Sequence, residues 1–497
     1  RITWITTYMI PILLIVIPLA SAFVGFFIKS SNGARSWSLF SSILTLIVSI
    51  VGLPMDPANA NLHCNVEWLP MLNSRFAVGL DGLGQILTFL TAISFPIIFI
   101  ATWRDEYRNA RNFYGLMLLS QAGLMGVFLA MDALLFYFFW ELALIPVYFL
   151  ASQWGGERRI QATFKFFIYT FIGSLLMLIG IIYLYFHTRN ASFSIESFYA
   201  LRSTILTPDQ SWLFWLFFIA FAIKMPIFPF HTWQPETYEQ APTAVTMVLS
   251  GIMVKMGLFG LIRWLAPILP VGTWQWGDTV STLCIIGMIY ASLLAMKQND
   301  LKRMVAYSSI AHIGLMCLAV FATSQSSMQG VMIQMFSHGI NIIGLWIVVD
   351  LIERQYHTRK ISELGGIALK APGLAILLVI VALANIALPL TNAFIGEFMM
   401  FNGIYASTAT KYNVVFTASA AVTIILSAVY MLNMIQRVFY GNTNALTAQT
   451  KDIKLNEKII LGVIVILIVA VGVYPQPVFE LTKHTVDAIL QKMNYKL

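Results

Sequence analysis

A chain of 497 residues that is 59% hydrophobic and only 10% charged is not a water-soluble domain, because soluble domains carry about 25% charged residues. The net charge of +8 would suggest nucleic acid in a soluble protein, but here it fits basic loops facing anionic lipid. Cys64, Cys284 and Cys317 are scattered without a CxxC pair, so no iron–sulfur or zinc site is encoded, and no phosphate-binding glycine motif follows a predicted strand.

Apolar runs long enough to cross a hydrocarbon core, about 20 residues each, follow one another along the chain. They lie near 8–28, 37–53, 83–102, 112–130, 132–151, 163–186, 212–230, 243–263, 278–296, 304–322, 328–352, 372–391 with a continuation to about 405, 414–436 and 459–476. The first lacks a small-residue cleavage site and reads as a spanning helix rather than a signal peptide. The pattern predicts an all-α polytopic membrane protein with about fourteen transmembrane helices. Eighteen Lys and Arg residues fall in the odd-numbered loops, among them Arg158, Arg159, Arg359 and Lys360. Nine fall in the even-numbered loops and tails, among them Arg1, Arg263, Lys411 and Lys496. By the positive-inside rule the odd loops are cytoplasmic and both termini lie on the other side. No connection, including 54–82, 187–211 and 437–458, is long enough to fold alone.

A few ionisable residues fall inside the runs. Glu141 lies in the fifth, Lys224 in the seventh and Lys255 in the eighth; His312, His338 and Glu397 lie in the tenth, eleventh and twelfth. Each has a plain structural reading: a snorkelling lysine, as for Lys165 near the start of the sixth run, a hydrogen-bonded core histidine, or half of an ion pair. The set as a whole argues for more. Charged groups at mid-membrane depth cost about 2.5–3.5 kcal/mol each on insertion scales, and groups that gain and lose protons form a relay when water or each other bridges them.

Two of these residues sit beside prolines. In "FAIKMPIFPFHTW" Pro226 removes a backbone N–H and clashes with the carbonyl four residues back, Pro229 repeats this one turn later, and Lys224 is adjacent. In "NIALPLTNAFIGEF" Pro389 precedes Glu397. Non-helical backbone at this depth is tolerated only inside protein or beside water, so the seventh and twelfth helices are expected to be broken. The Lys224–Pro226 and Pro389–Glu397 segments lie roughly 165–170 residues apart, as do Glu141 and His312, which predicts two five-helix repeats, inverted because five is odd. The expected divisions are 1–111 for the first three helices, 112–263 and 278–438 for the repeats, and 459–497 for the last helix and tail.

The stretches "FFWELALIPVYFL", "KMPIFPFHTWQPETYEQAPTAVTMVLSGIMVKMGLFGLIR", "LKRMVAYSSIAHIGLM", "QMFSHGINIIGL" and "LPLTNAFIGEF" together resemble the antiporter-like membrane subunits of proton-pumping NADH:quinone oxidoreductase, respiratory complex I. The resemblance runs in order along nearly the whole chain. Glu397 stands where the related subunits L and N, and Mrp cation/proton antiporter subunits, carry Lys. The resemblance implies that Glu141 and Lys224 form a coupled pair in a first half-channel. It makes Lys255 a central link, puts His312 and His338 on a connecting axis, and makes Glu397 the terminal acid of a second half-channel. Two departures stand out. "LPLT" replaces the family's usual LPGT, and in "WQPETY" Gln234, Glu236 and Tyr238 replace Leu, Asp and His, while His231 is retained.

The expectation is thus a proton-translocating subunit of a redox-driven complex in the inner (cytoplasmic) membrane. No redox cofactor is expected in this chain, and flavin, iron–sulfur clusters and quinone are expected in partner subunits. Lipid and other membrane subunits, especially L and N on either side, are the expected partners, and nucleic acid is not. An Mrp-type cation/proton antiporter and a non-transporting scaffold are the alternatives. The Glu397 for Lys exchange speaks against the first, and the retained intramembrane charges against the second.

Overall fold

The computed structural model describes residues 9–449 and 451–494; Arg1 and Lys496, used in the charge count, lie outside the described residues. The α-helices in chain order are α1 Met9–Phe27, α2 Ser31–Gly52, α3 Gly82–Ala101, α4 Ala110–Leu129, α5 Ala133–Trp154, α6 Arg159–His187, α7 Ile195–Ala200 and α8 Thr207–Lys224. They continue with α9 Trp233–Gln240, α10 Thr243–Val248, α11 Val254–Gly260, α12 Pro270–Lys297, α13 Leu301–Phe321 and α14 Gln325–Tyr356. The last are α15 Ile367–Lys370, α16 Pro372–Asn385, α17 Asn392–Tyr405, α18 Asn413–Met434, α19 Leu455–Val473 and α20 Gln476–Met493. Twelve helices among the described residues are long and apolar enough to cross a membrane. The expected spans at 212–230 and 372–405 are interrupted, the first after α8 and the second between α16 and α17.

Two compact units emerge. The first holds residues 1–225, 252–277 and 480–497, and the second 226–251 and 278–479. The chain leaves the first unit between Met225 and Pro226, within the predicted break. It returns at Ile252, inside a π-helical turn, Leu249–Met253.

Within the first unit, helices approach at small residues, as expected where lipid gives helices no hydrophobic reason to associate. A Cβ on Gly123 of α4 would lie 2.5 Å from the Ala143 backbone nitrogen of α5, so the two backbones touch. Buried hydroxyls on α3 are satisfied by their own helix: Thr88 Oγ1 donates to the Gly84 carbonyl at 2.7 Å and Ser94 Oγ to Leu90 at 2.6 Å. In the second unit α13 and α14 are buried along their whole apolar length. There Gly330 and Gly396 let α14 and α17 meet, since a Cβ on Gly396 would lie 2.5 Å from Gln334 Oε1.

Two elements lie where the sequence carries no strong periodic signal. The 54–82 connection contains an antiparallel hairpin, β1 His63–Leu69 and β2 Ser74–Gly79, and the expected tail contains the amphipathic α20, which buries Thr482, Thr485, Val486, Ile489 and Met493. Asp132 ties the hairpin to α5. Its carboxylate accepts from Leu134 N and Leu135 N, capping α5, and also from Ser74 Oγ at 2.9 Å and Arg75 N at 3.0 Å. Burial pushes the Asp132 carboxyl above its ordinary pKa, against the pull of those donors. Asp132→Ala should lower stability by about 2 kcal/mol, the upper range for a lost cap, while Asp132→Asn keeps part of the bonding and loses less. Thermal unfolding of the purified protein in detergent reads both.

Candidate functional site

In the first unit α8 ends at Lys224. Met225 N donates to the Phe221 carbonyl at 2.8 Å. Pro226 has no N–H, so the Ala222 carbonyl loses its in-helix donor. The segment to Thr232 is irregular and contains a cis Phe228–Pro229 bond. Lys224 is only 2% exposed. Its ammonium stands at the negative end of the α8 dipole and over two rings, 5.4 Å from the centroid of Trp140 and 5.9 Å from that of Phe166. Glu141 follows Trp140 on α5 and lies within electrostatic reach of Lys224. Neither Lys224 Nζ nor Glu141 Oε1 has a hydrogen-bond partner among the described residues, so the two act on each other through space rather than as a bonded pair. Lys255 on α11 is fully buried. Gly257 brings its helix against the end of α8, since a Cβ there would lie 2.6 Å from the Phe221 carbonyl oxygen and 2.9 Å from Met225 Cβ.

In the second unit α16 stops at Asn385 and α17 starts at Asn392. Side chains add hydrogen bonds to the backbone at this break. Asn341 Nδ2 of α14 donates to the Ala384 carbonyl at 3.3 Å and to Asn392 Oδ1 at 3.0 Å, and Ala393 N donates to the same Oδ1. Glu397, 6% exposed, follows on α17. Its Oε1 lies 3.2 Å from His312 Nδ1 of α13 and accepts from Gln334 Nε2 at 3.5 Å. The rings of His312 and His338 have centroids 5.7 Å apart, and His338 Nε2 lies 3.3 Å from Ser309 Oγ. The six expected residues thus fall into two groups by unit: Glu141, Lys224 and Lys255 in the first, His312, His338 and Glu397 in the second. His231 is buried beside the rings of Phe228 and Tyr290, and the buried Tyr238 packs against Trp346.

Other charged groups were assigned to loops by the sequence reading. Arg263, counted as a loop cation, is buried in a π-helical turn and pairs through NH2 with both carboxylate oxygens of Asp81, while Tyr199 donates to its carbonyl. At the start of α13, Lys302 pairs with Glu353 at 2.9 Å, and Arg359 pairs with Asp300, with Glu353 at 3.2 Å and with Glu239 of α9 at 3.3 Å. Burial works against the Arg359 charge, but these carboxylates outweigh it and hold its pKa above the ordinary value. No local sequence signal brings Glu239 and Arg359 together, because they lie 120 residues apart. Asn385 and Asn392 could have been found: polar amides bracketing an intramembrane proline signal a break that needs donors. Among the described residues no cluster of three or more His, Cys, Asp and Glu suits a metal ion.

The profile of the family described as "NADH:quinone oxidoreductase/Mrp antiporter, TM" matches residues 130–424. NADH-quinone oxidoreductase subunit M of Rickettsia typhi (strain ATCC VR-144 / Wilmington) is 36% identical over 490 residues, 96% of this chain and 98% of that protein. F(420)H(2) dehydrogenase subunit M of Methanosarcina mazei is 34% identical over 499 residues, 97% of this chain and 98% of that protein. Among solved structures, a chain of respiratory complex I from Thermus thermophilus with bound NADH superposes with a TM-score of 0.89. It is 26% identical and covers 98% of this chain and 100% of its own length.

The departure at "LPLT" has a visible backbone consequence. Leu390 has φ +75° and Ala387 φ +56°, both in the left-handed region that favours glycine. A left-handed non-glycine residue costs about 1–2 kcal/mol, whereas glycine's extra freedom in the unfolded chain costs about 0.4–1 kcal/mol. Leu390→Gly should therefore stabilise the protein by up to about 1 kcal/mol, read as a higher unfolding temperature of the detergent-solubilised protein, with Leu388→Gly as a control that gains nothing.

Proposed function

The chain belongs to the membrane family shared by NADH:quinone oxidoreductases and Mrp antiporters, and from that premise we propose that it acts as the M-type, proton-translocating subunit of an NADH:quinone oxidoreductase. It is a multi-pass membrane protein whose partners are other subunits of that complex. The finer assignments are part of the proposal: the inner membrane as location, both termini on the non-cytoplasmic side, subunits L and N as neighbours, fourteen spans in two inverted repeats, and no redox group in this chain, so that flavin, iron–sulfur clusters and quinone belong to partner subunits.

The observation that carries the reading is the first break. A buried ammonium and a carboxylate stand there within electrostatic reach, and neither Lys224 Nζ nor Glu141 Oε1 has a hydrogen-bond partner among the described residues. A charge acts on a neighbouring ionisable group through space, so the charge of Lys224 bears on Glu141 without a bond between them. Energy arrives from the redox partners as an electrostatic disturbance. Lys255 carries the later steps in the first unit. In the second, the His312–Glu397 contact at 3.2 Å supports proton exchange between imidazole and carboxylate, with His338 beside them. The order of these steps is part of the proposal.

The family description also covers Mrp antiporters. Glu397 in the lysine position of those subunits favours the redox complex. The subunit composition of the complex purified through this chain separates the two: flavin and iron–sulfur subunits support the proposal, and a set of antiporter subunits alone replaces it. In the purified complex reconstituted into vesicles, Glu141→Gln and Lys224→Ala should each abolish proton uptake driven by NADH oxidation while the complex still assembles. Normal protons per NADH in either variant would remove that residue from the mechanism.

A further inference from the structure

Ser308 of α13 joins three helices of the second unit. Tyr430 OH of α18 donates to Ser308 Oγ at 2.8 Å, and Asn385 Nδ2, the last residue of α16 before the break, donates to it at 3.1 Å. A hydroxyl has two acceptor positions and one proton. Both acceptor positions of Ser308 are taken, so its own proton must go to a third partner, and it has no acceptor among the described residues. One turn further along the same face of α13 stands His312, four residues on, where side chains lie about 5–6 Å apart at Cβ. His312 Nδ1 then meets Glu397 Oε1 at 3.2 Å, and Glu397 is also within electrostatic reach of Tyr430.

Tyr430 also forms part of the wall of a small cavity of about 10 Å³, roughly the space of one water. Gln298, Met304, Ile361, Asn433 and Arg437 line it too. Tyr430 is 2% exposed, whereas Asn433 and Arg437 are exposed at the rim. The neighbouring loops, with Lys297, Lys360 and Arg437, are those that the charge bias puts in the cytoplasm.

We propose that this cavity is the mouth of a proton entry into the second unit, running from the Arg437 face through Tyr430 and Ser308 to His312 and Glu397. It rests on the reading of the chain as a proton carrier. The step balances without ionising either hydroxyl. A hydronium in the cavity gives a proton to the Tyr430 oxygen and is left as water; Tyr430 passes its own proton to Ser308, Ser308 passes its own through one water to His312 Nε2, and His312 gives the proton on Nδ1 to Glu397.

The test uses the purified complex reconstituted into vesicles and counts protons per NADH oxidised. Tyr430→Phe keeps the ring and removes the hydroxyl, so it should lose at least half of the proton yield that Glu397→Gln loses. In a second measurement, Asn433→Cys is treated with a bulky, charged, membrane-impermeant methanethiosulfonate. Proton yield should fall relative to the untreated variant only when the reagent is on the Arg437 side, a side dependence that a merely structural role for these residues does not produce. The parent's yield in Tyr430→Phe, or a modified Asn433→Cys that pumps like the untreated variant, overturns the route; if Tyr430→Phe does not assemble, the thiol block decides. Glu397→Gln with the parent's yield overturns the carrier reading itself, a separate outcome.

Discussion

In a bilayer every backbone N–H and C=O must find a partner within the protein, and the two broken helices are arranged around that requirement. A proline inside a span frees a carbonyl, and lipid offers nothing to replace the lost donor. At the second break Asn341 adds to the bonding: its amide reaches the Ala384 carbonyl, which also accepts from Ala387 N at 3.1 Å, and the Asn392 side chain. At the first, a lysine stands at the carbonyl-rich end of α8. Breaks and buried polar groups therefore occur together, through hydrogen bonds at the second break and through the helix dipole at the first, where Lys224 Nζ has no hydrogen-bond partner among the described residues. The close approaches at Gly257, Gly330 and Gly396 follow, since a helix bearing a Cβ at those points would hold the polar groups too far from the break.

The two units use their buried charges differently. At an effective dielectric near 20, unit charges 4 Å apart attract by about 4 kcal/mol. A pair locked at that distance is hard to discharge. Lys224 and Glu141 influence each other without a bond, so either can change charge at lower cost. His312 and Glu397 are in hydrogen-bond contact, where a proton is shared over a short distance.

The spans and the intramembrane Glu, Lys and His residues were legible because apolar runs of this length have one physical meaning in a chain so poor in charge, and because any ionisable residue interrupting such a run is conspicuous. The breaks were legible for the same reason, through Pro226 and Pro389. What the sequence hid was of two kinds. Short elements, the 63–79 hairpin and the amphipathic α20, sit in polar connections where periodicity is weak. Partnerships across long separations, such as Arg263 with Asp81 or Arg359 with Glu239, leave no local trace, so their members read as ordinary loop charges. Ser308 and Tyr430 were hidden because a serine or tyrosine in an apolar helix is commonplace, and only the meeting of three helices gives this pair a role.

Residue type alone would rank the Arg359 cluster above the Lys224 site, since it gathers more charges. Satisfaction ranks them the other way. Asp300, Glu353 and Glu239 surround Arg359 with short contacts, and a network of several charges holds its members more firmly than a lone pair at the same exposure would. Charges held that firmly fix α9 and the loop after α14 to the start of α13, and they resist any cycle of protonation. A group that must gain and lose a proton repeatedly needs the reverse arrangement: burial deep enough that its charge is felt, and few enough fixed partners that the charge can leave. Among the described residues Lys224 fits that description, with the half-buried Glu141, whose Oε1 is enclosed and unbonded, in its electrostatic reach, and Ser308, with its proton uncommitted between Tyr430 and His312, is its neutral counterpart.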